Sequence, residues 1–447
     1  MQKRFIIDSS VLLHAPTAIY AFDDNEVLLP ASVIRELGER TKTSGELRAN
    51  AMEAVKLLDS ICDVPGEAVH LESGGILEII GRPEDSIYDM AMAKDAVIVS
   101  RDPAVRLTAR SMSLGAEHFK AESLSVDKKP YEGRCNLFVS GQELSSFAQN
   151  KVLKLDPKKE YCATDTDNAV ISEDYHLSPN EYVTLINSDR PDTGTMLGRF
   201  DGEEIVPLRF YKRDHPVFGV SARNVGQQFA LDALMNPDAP LVILQGPAGT
   251  AKTFLSMAAA LEQTYSKNVY RKILITRPNA KMDADVGYLK GDERQKVLPT
   301  LRGLMDNMEN LMQQDPRDRK KDGINCESPA DTLLANGIVD AQAMAYMRGR
   351  SICRQFMIVD EMQNSTVNQV LSIITRVGEE SKIVLLGDPN QIDNPYLDRI
   401  SNGLVYAAER MRGSPLCWQI TFNERESTRS PLAREAIERL TPKGSVF

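Results

Sequence analysis

The amino-acid sequence predicts an α/β fold built from three consecutive parts. Short apolar strands alternate with amphipathic helices near the N-terminus, and the same alternation returns in the C-terminal half. Short strand-like segments separated by turn residues lie between them. At about 150 residues per domain, the 447-residue chain is long enough for three packed units. We therefore expect domains at residues 1–130, 131–219 and 220–447.

Composition and charge narrow the class of protein. Hydrophobic residues make up 42% of the chain and charged residues 26%, as in ordinary globular proteins. The sequence has no apolar run of about 18 residues and no CxxC pair among its six cysteines. We therefore expect a reduced, cytoplasmic protein with no membrane partner. The net charge of -10 indicates that any nucleic acid is bound by local patches rather than by a basic surface.

The first part is predicted to be a parallel sheet covered by helices. Strands are expected at RFIID, EVLLP and AVIVS, and helices at SVIRELGER, GELRANAMEAVKLLDSI and DSIYDMAMA. The pattern fades at the linker-like VDKKPYEGR. The second part is predicted to be a small β-rich connector whose strands are separated by turns at GQE, SPN, DRPDTG and FDGEE.

Residues 246–253 have the pattern of a phosphate-binding loop. The sequence GPAGTAKT follows the apolar strand LVILQ and opens an apolar helix, so its backbone N–H groups would face the phosphates of a nucleotide. The expected nucleotide-binding residues are Gly246, Pro247, Ala248, Gly249, Thr250, Ala251, Lys252 and Thr253. Lys252 would bind phosphate oxygens and Thr253 would bind Mg²⁺. Ala251 stands where glycine is usual in such a loop. Alanine tolerates negative φ but adds a methyl group near the phosphates, so a weakened or altered nucleotide site is an alternative.

Two later strands end in polar residues at the same predicted sheet edge. FMIVDE ends in Asp360, expected to hold Mg²⁺, and Glu361, expected to orient or deprotonate the attacking water. The strand IVLLGD leads to Gln391, which is placed to sense the γ-phosphate. The alternatives are a solvated strand end for the two acids and a plain GDPN turn for the segment that leads to Gln391. Arg425 or Arg429 is a candidate arginine finger, acting in cis or across a subunit contact.

The first part carries acids where an α/β sheet presents its ligands. They are Asp8, Glu36, Glu84, Asp85 and Asp102. Clustered carboxylates suit Mg²⁺ or Mn²⁺, and two such ions could activate water for phosphodiester hydrolysis. The alternatives are helix caps for Asp8 and Asp102 and solvated or first-turn helix acids for the rest. Spacing favours Glu84 as the third acid, whereas residue type favours Asp85.

The C-terminal motifs resemble the PhoH-like family of ATPases, which are similar to superfamily 1 helicases. The resemblance extends from NVGQ at 224–227 through the phosphate loop, TRP at 276–278, GYLKGD at 287–292, RGR at 348–350 and DEMQN at 360–364 to GDPNQID at 387–393. It implies that Gln227 reads the adenine of ATP, and that Arg277, Arg348 and Arg350 contact RNA or a neighbouring subunit. It also implies a homo-oligomeric ring.

The N-terminal acids resemble those of PIN-domain ribonucleases, on the segments DSSV at 8–11, IREL at 34–37 and SRD at 100–102. Together, the resemblances imply an ATP-dependent RNA helicase or translocase coupled to a metal-dependent endoribonuclease that cuts single-stranded RNA. One alternative is an RNA-binding ATPase with a catalytically inert PIN module. Another is a nucleotide-switched scaffold without motor activity.

Overall fold

A computed structural model describes most of the chain, in two compact units. The described residues are 3–22, 24–42, 46–62, 68–71, 74–119, 131–212, 214–278, 301–314, 329–347, 351–394, 397, 399 and 402–440. Most of the first unit is formed by residues 1–124, and the second unit contains both sheets that follow. In the described part of the chain, no helix is long and apolar enough to cross a membrane.

The N-terminal unit is a six-stranded sheet in the order β3-β4-β2-β1-β5-β6. The strands are β1 (Arg4–Ile7), β2 (Glu26–Pro30), β3 (Val69–His70), β4 (Ile76–Ile80), β5 (Val97–Val99) and β6 (Ala116–Glu117). All neighbours are parallel except β3 and β4. The apolar residues at the centre alternate between the two faces: Ile7 and Leu29 belong to one core cluster, and Ile6 and Leu28 to another.

Five helices connect these strands and cover both faces of the sheet. They are α1 (Ser9–His14), α2 (Ala31–Arg40), α3 (Glu46–Ile61), α4 (Ile87–Lys94) and α5 (Pro103–Ser111). The first three supply one core cluster, whereas α4 and α5 supply the other. A 3₁₀ turn spans Ala18–Phe22. This arrangement puts the carboxyl ends of the parallel strands at one edge of the sheet, as the sequence predicts.

The β-rich module is a second six-stranded sheet, in the order β12-β11-β10-β7-β8-β9. Its strands are β7 (Arg134–Val139), β8 (Ala163–Thr164), β9 (Val170–Ser172), β10 (Tyr182–Asn187), β11 (Thr195–Phe200) and β12 (Ile205–Pro207). The predicted turn at GQE is wrong, because these residues open α6 (Gly141–Asn150). A capping box between Ser140 and Glu143 starts this helix, and the S-x-x-E pattern is its sequence signal.

The third sheet has the order β15-β14-β16-β17-β13-β18, and all its strands are parallel. They are β13 (Leu241–Gln245), β14 (Lys272–Thr276), β15 (Val339–Ala341), β16 (Gln355–Val359), β17 (Lys382–Gly387) and β18 (Cys417–Thr421). Continuous apolar runs form the central strands because both of their faces are buried. Since β17 lies between β13 and β16, its carboxyl end lies between the ends of those two strands.

Helices cover both faces of this sheet. They are α7 (Val225–Met235), α8 (Lys252–Leu261), α9 (Arg302–Gln314), α10 (Pro329–Ala335), α11 (Val367–Ile374), α12 (Gly403–Arg410) and α13 (Pro431–Leu440). A π-helical turn at Glu262–Ser266 extends α8. Short 3₁₀ turns lie at Pro191–Thr193, Met344–Met347, Met362–Asn364 and Glu424–Glu426.

The β-rich module packs directly on the third sheet and its helices. Tyr182 of β10 stacks on Phe229 of α7 with ring centroids 4.9 Å apart, and its hydroxyl donates to Asp232 at 3.1 Å. At Gly133, with φ of 72°, an added Cβ would lie 2.0 Å from the carbonyl oxygen of Gln419 in β18. Residues of the module also belong to the main core cluster of the α/β part. The module is therefore an integral layer of the second unit.

Candidate functional site

The loop between β13 and α8 is shaped by two glycines. An added Cβ at Gly246, where φ is 136°, would lie 2.5 Å from the carbonyl oxygen of Phe422. Gly249 has φ of 89°, and its carbonyl accepts hydrogen bonds from the N–H and hydroxyl of Thr428. The loop therefore lies tightly against the segment that follows β18. The free N–H groups in the first turn of α8 face the space that the loop encloses.

Ala251 adopts a backbone conformation that favours glycine. Its φ and ψ are 70° and 20°, in the left-handed region, at the N-cap of α8. Alanine at this position therefore does not adopt the negative φ that L residues tolerate best. A left-handed alanine costs about 1–2 kcal/mol, so the loop imposes this conformation through its other contacts.

Lys252 lies along the inside of the loop. Its Nζ donates to the carbonyl oxygens of Gly246 at 2.6 Å and Pro247 at 2.9 Å. Burial lowers the pKa of this amine to about 8, although the nearby carboxylate of Asp388 opposes the shift. Asp388, at the end of β17, also accepts a hydrogen bond from Ala248 N at 3.2 Å. Sequence reasoning did not single out Asp388 as a site residue, although it lies in the GDPNQ segment.

Asp360 and Glu361 follow β16 and face the same loop. The Oδ1 atom of Asp360 lies 3.4 Å from the hydroxyl of Thr253, the first-turn residue of α8. Burial, and secondly the charge of Glu361, raises the pKa of Asp360 to about 6. Glu361 itself has a left-handed φ of 55° and an ion pair with Arg277 at 3.6 Å. Strained non-glycine residues of this kind concentrate at functional sites.

Gln363 connects the acids to the end of β17. Its buried amide donates to Glu361 at 2.5 Å and to the carbonyl oxygen of Gln391 at 2.8 Å, and accepts from Asp388 N at 3.1 Å. The backbone of Gln391 therefore belongs to this network, whereas the residue as a whole is exposed. Sequence reasoning did not single out Gln363; its position two residues after a strand-ending acid was the available signal.

Gln227 and one of the two candidate arginines also contact the loop. The buried Gln227 amide donates to Thr250 O at 3.3 Å and accepts from Arg223 N at 2.9 Å. Arg429 packs on Gly249, where an added Cβ would lie 2.6 Å from its Nε. Arg425 is exposed on the 3₁₀ turn. Of the two arginines, the structure therefore brings Arg429 to the phosphate-binding loop.

The residues around the loop fit a nucleotide-bound Mg²⁺. Thr253 and Asp360 offer a hydroxyl and a carboxylate oxygen 3.4 Å apart, which is the pair that P-loop NTPases use. Burial and Glu361 keep the pKa of Asp360 raised although Arg277 and Lys252 favour its ionised form, so a further positive charge would complete the compensation of its carboxylate. A divalent cation would supply that compensation.

The N-terminal acids are distributed along the carboxyl edge of their sheet. Asp8 caps α1, and its Oδ2 accepts hydrogen bonds from the hydroxyls of Ser10 at 2.5 Å and Ser100 at 2.7 Å. Ser100 also accepts from the N–H of Asp102, which caps α5. A hydroxyl network therefore links two of the predicted acids.

The other predicted acids are not drawn into this network. Glu36 is exposed on α2, and Glu84 is exposed before α4. Asp85 accepts a hydrogen bond from Arg82 N at 2.7 Å, and Ser86 caps the helix. Among the described residues, no group of three or more His, Cys, Asp or Glu side chains could hold a metal ion. The acids as placed here do not fit the predicted metal site.

Two segments named by the resemblance lie outside the described residues. They are 287–292 and 348–350, which include Arg348 and Arg350.

The fold and the loop define a P-loop NTPase preceded by a PIN-type α/β domain. A family model described as "PhoH-like protein" matches residues 219–441, and one described as "PIN domain" matches residues 5–120. Protein PhoH2 of Bacillus subtilis (strain 168) is 34% identical, over 98% of this chain and 100% of that protein. The chain therefore belongs to the PhoH2 family, and the predicted fold class is confirmed.

Two further relatives match over similar lengths. Protein PhoH2 of Mycolicibacterium smegmatis is 29% identical, over 98% of each chain. Protein PhoH2 of Thermobispora bispora is 28% identical, over 98% of this chain and 96% of that protein. The chain is thus a PhoH-family ATPase with a nuclease-like module.

Proposed function

We propose that the protein is an ATP-dependent RNA helicase or translocase coupled to an endoribonuclease that acts on single-stranded RNA. The observation that supports motor activity is a hydrogen-bonded path, which runs from Glu361 through Gln363 to the backbone of Gln391 and Asp388. Asp388 contacts the phosphate-binding loop directly. Loss of the γ-phosphate would therefore be passed from the phosphate-binding loop to the ends of β16 and β17, as a nucleotide-driven motor requires.

In this proposal, each residue of the ATP site has a distinct role. Lys252 binds phosphate oxygens, and Thr253 and Asp360 would hold Mg²⁺, which neutralises charge on the β- and γ-phosphates when it is bound. Glu361 orients the attacking water and accepts its proton. Arg429, against the loop, stabilises the charge that develops during transfer.

In this proposal, bound RNA stimulates ATP hydrolysis through Arg277. This arginine follows β14 and pairs with Glu361, and about a third of its side chain is exposed. A phosphate of bound RNA would compete with Glu361 for the guanidinium and free the carboxylate for its role with water. This arrangement supports RNA-stimulated ATP turnover. A homo-oligomeric ring and a cytoplasmic location remain part of the proposal.

An inert PIN module is the second candidate for the N-terminal unit. The described residues hold no three-acid cluster, which favours this reading because PIN-type cleavage depends on metal-binding carboxylates. The nuclease proposal relies on Asp8 and Asp102, which share Ser100 at the sheet edge. A nucleotide-switched scaffold is the third candidate, and it predicts ATP turnover that RNA does not stimulate.

A partly duplexed RNA incubated with Mg²⁺ or Mn²⁺, with and without ATP, separates these readings. We expect Lys252→Ala to abolish unwinding but not cleavage, and Asp8→Asn to abolish cleavage but not unwinding. Lys267→Ala and Asp95→Asn are matched controls, because Lys267 ends the π-helical turn and the exposed Asp95 precedes β5. Unwinding that persists in Lys252→Ala refutes the motor. Absence of Asp8-dependent cleavage supports the inert module.

A further inference from the structure

The segment that carries Arg429 is held in place by a buried ion pair with the β-rich module. Arg134, the first residue of β7, donates through both terminal nitrogens to the carboxylate of Glu426. Its Nε donates to the carbonyl oxygen of Thr421 at 2.8 Å. The side chains are only 4% and 11% exposed, so the pair is shielded from solvent. This planar contact fixes orientation as well as distance.

Glu426 also fixes the start of α7. Its Oε1 accepts from Gly226 N at 2.8 Å, and its carbonyl accepts from the side chain of Asn224 at 3.1 Å. Gly226 has no room for a side chain, since an added Cβ would lie 2.6 Å from Glu426 and 2.9 Å from Arg134. Glu426 is therefore the point where the β-rich module, α7 and the C-terminal segment meet.

The chain runs from Glu426 directly to the phosphate-binding loop. Two residues later, the N–H of Thr428 donates to Gly249 O at 2.8 Å, and the next residue is Arg429. This stretch lies between the 3₁₀ turn and α13, so tertiary contacts rather than helical hydrogen bonds determine its path. Arg429 can meet a developing charge only if these contacts hold it within a fraction of an ångström.

We propose that Arg134 is a positioning residue, which acts through Glu426 to hold Arg429 against the phosphate-binding loop. The inference depends on the proposed ATPase activity. It makes the β-rich module a structural part of the hydrolytic site rather than a connector. Because the hydrogen bonds of Arg134 go to Glu426 and Thr421 rather than to the phosphate-binding loop, its removal should displace Arg429 without removing a hydrogen bond of the loop itself.

Steady-state ATP hydrolysis by the full chain tests this role. We expect Arg429→Ala to lower kcat by about 1000-fold, the low end of the range for arginine fingers. Arg134→Met should lower kcat by about 10- to 100-fold with KM for ATP changed less than about threefold, as a displacement near 1 Å would. Arg134→Lys should recover part of the loss. The double variant should be no slower than Arg429→Ala alone, because both changes remove one function.

Arg199→Met is the matched control. Arg199 also belongs to the β-rich module and lies over Trp418 of β18, with its guanidinium 5.9 Å from the ring centre. We expect wild-type kcat for this variant. An equal loss in Arg199→Met, or a further loss from Arg134→Met in the Arg429→Ala background, would overturn the inference.

Folding and activity failures can be told apart. If Arg134→Met melts below the assay temperature, Glu426→Gln gives the same comparison, because glutamine keeps the side-chain shape but removes the ion pair. If the wild type hydrolyses ATP normally and kcat is unchanged in Arg134→Met and Glu426→Gln, only the positioning role is refuted. Absence of ATP turnover in the wild type refutes the proposed ATPase and the inference together.

Discussion

Replacing Glu361 by glutamine tests the proposed chemistry most directly. Glutamine keeps the shape of the side chain but cannot accept a proton. Loss of a general base lowers rates by about 100- to 10,000-fold, which corresponds to about 3–5 kcal/mol in the barrier. The folded state should change little, since the ion pair with Arg277, whose side chains are about one third exposed, contributes below about 1 kcal/mol and the left-handed backbone is unchanged.

Glu380→Gln is a closely matched control for this measurement. Glu380 also has a left-handed φ of 54° and an arginine partner, Arg354 at 3.1 Å, but it precedes β17 at the opposite edge of the sheet. Steady-state ATP hydrolysis should show a large fall in kcat for Glu361→Gln alone, with KM for ATP nearly unchanged. A kcat within about threefold of wild type in Glu361→Gln, or an equal fall in Glu380→Gln, would show that the base is elsewhere.

Three further substitutions test the phosphate-binding loop and the stability of the second unit. Gly246→Ala should abolish nucleotide binding in a calorimetric titration, because its Cβ would collide with the Phe422 carbonyl, whereas Gly303→Ala has open space and should bind normally. Lys382→Met should lower the free energy of unfolding in urea by about 2 kcal/mol, because it leaves three buried carbonyls without their amine donor. Burial opposes ionisation of Glu143, but hydrogen bonds from its partners outweigh it and lower the pKa to about 2. Since this folded-state pKa lies below the unfolded value, its stabilisation is complete above about pH 4.5 and is lost as the pH falls towards 2. Glu143→Gln should reduce the loss of thermal stability across that interval, and an unchanged pH profile would contradict the assignment.

The sequence predicts strand ends better than it predicts contacts. Apolar runs followed by acids locate Asp360 and Glu361 correctly at the end of β16, because parallel strands must present their carboxyl ends at one edge. The choice between Arg425 and Arg429 depends on how the chain folds back onto Gly249. The spacing of residues along the sequence does not predict that tertiary contact.

Local sequence patterns also predict the wrong backbone conformation where tertiary contacts decide it. The S-x-x-E pattern at residues 140–143 marks a helix start, yet its flanking turn residues favour a loop. Ala251 adopts a conformation that its residue type disfavours, since the surrounding loop determines φ there. The hydroxyl network around Asp8 likewise brings together Ser10 and Ser100, which lie ninety residues apart in sequence.

The docking of the β-rich module limits how the chain can be divided for study. Asp232 accepts hydrogen bonds from the N–H groups of Phe210 and Tyr211 and from the hydroxyl of Tyr182, and Glu426 binds Arg134. A fragment that starts at residue 220 would lose all of these donors and would expose to solvent the apolar face of α7 on which Tyr182 stacks. A soluble ATPase fragment should therefore begin no later than residue 131.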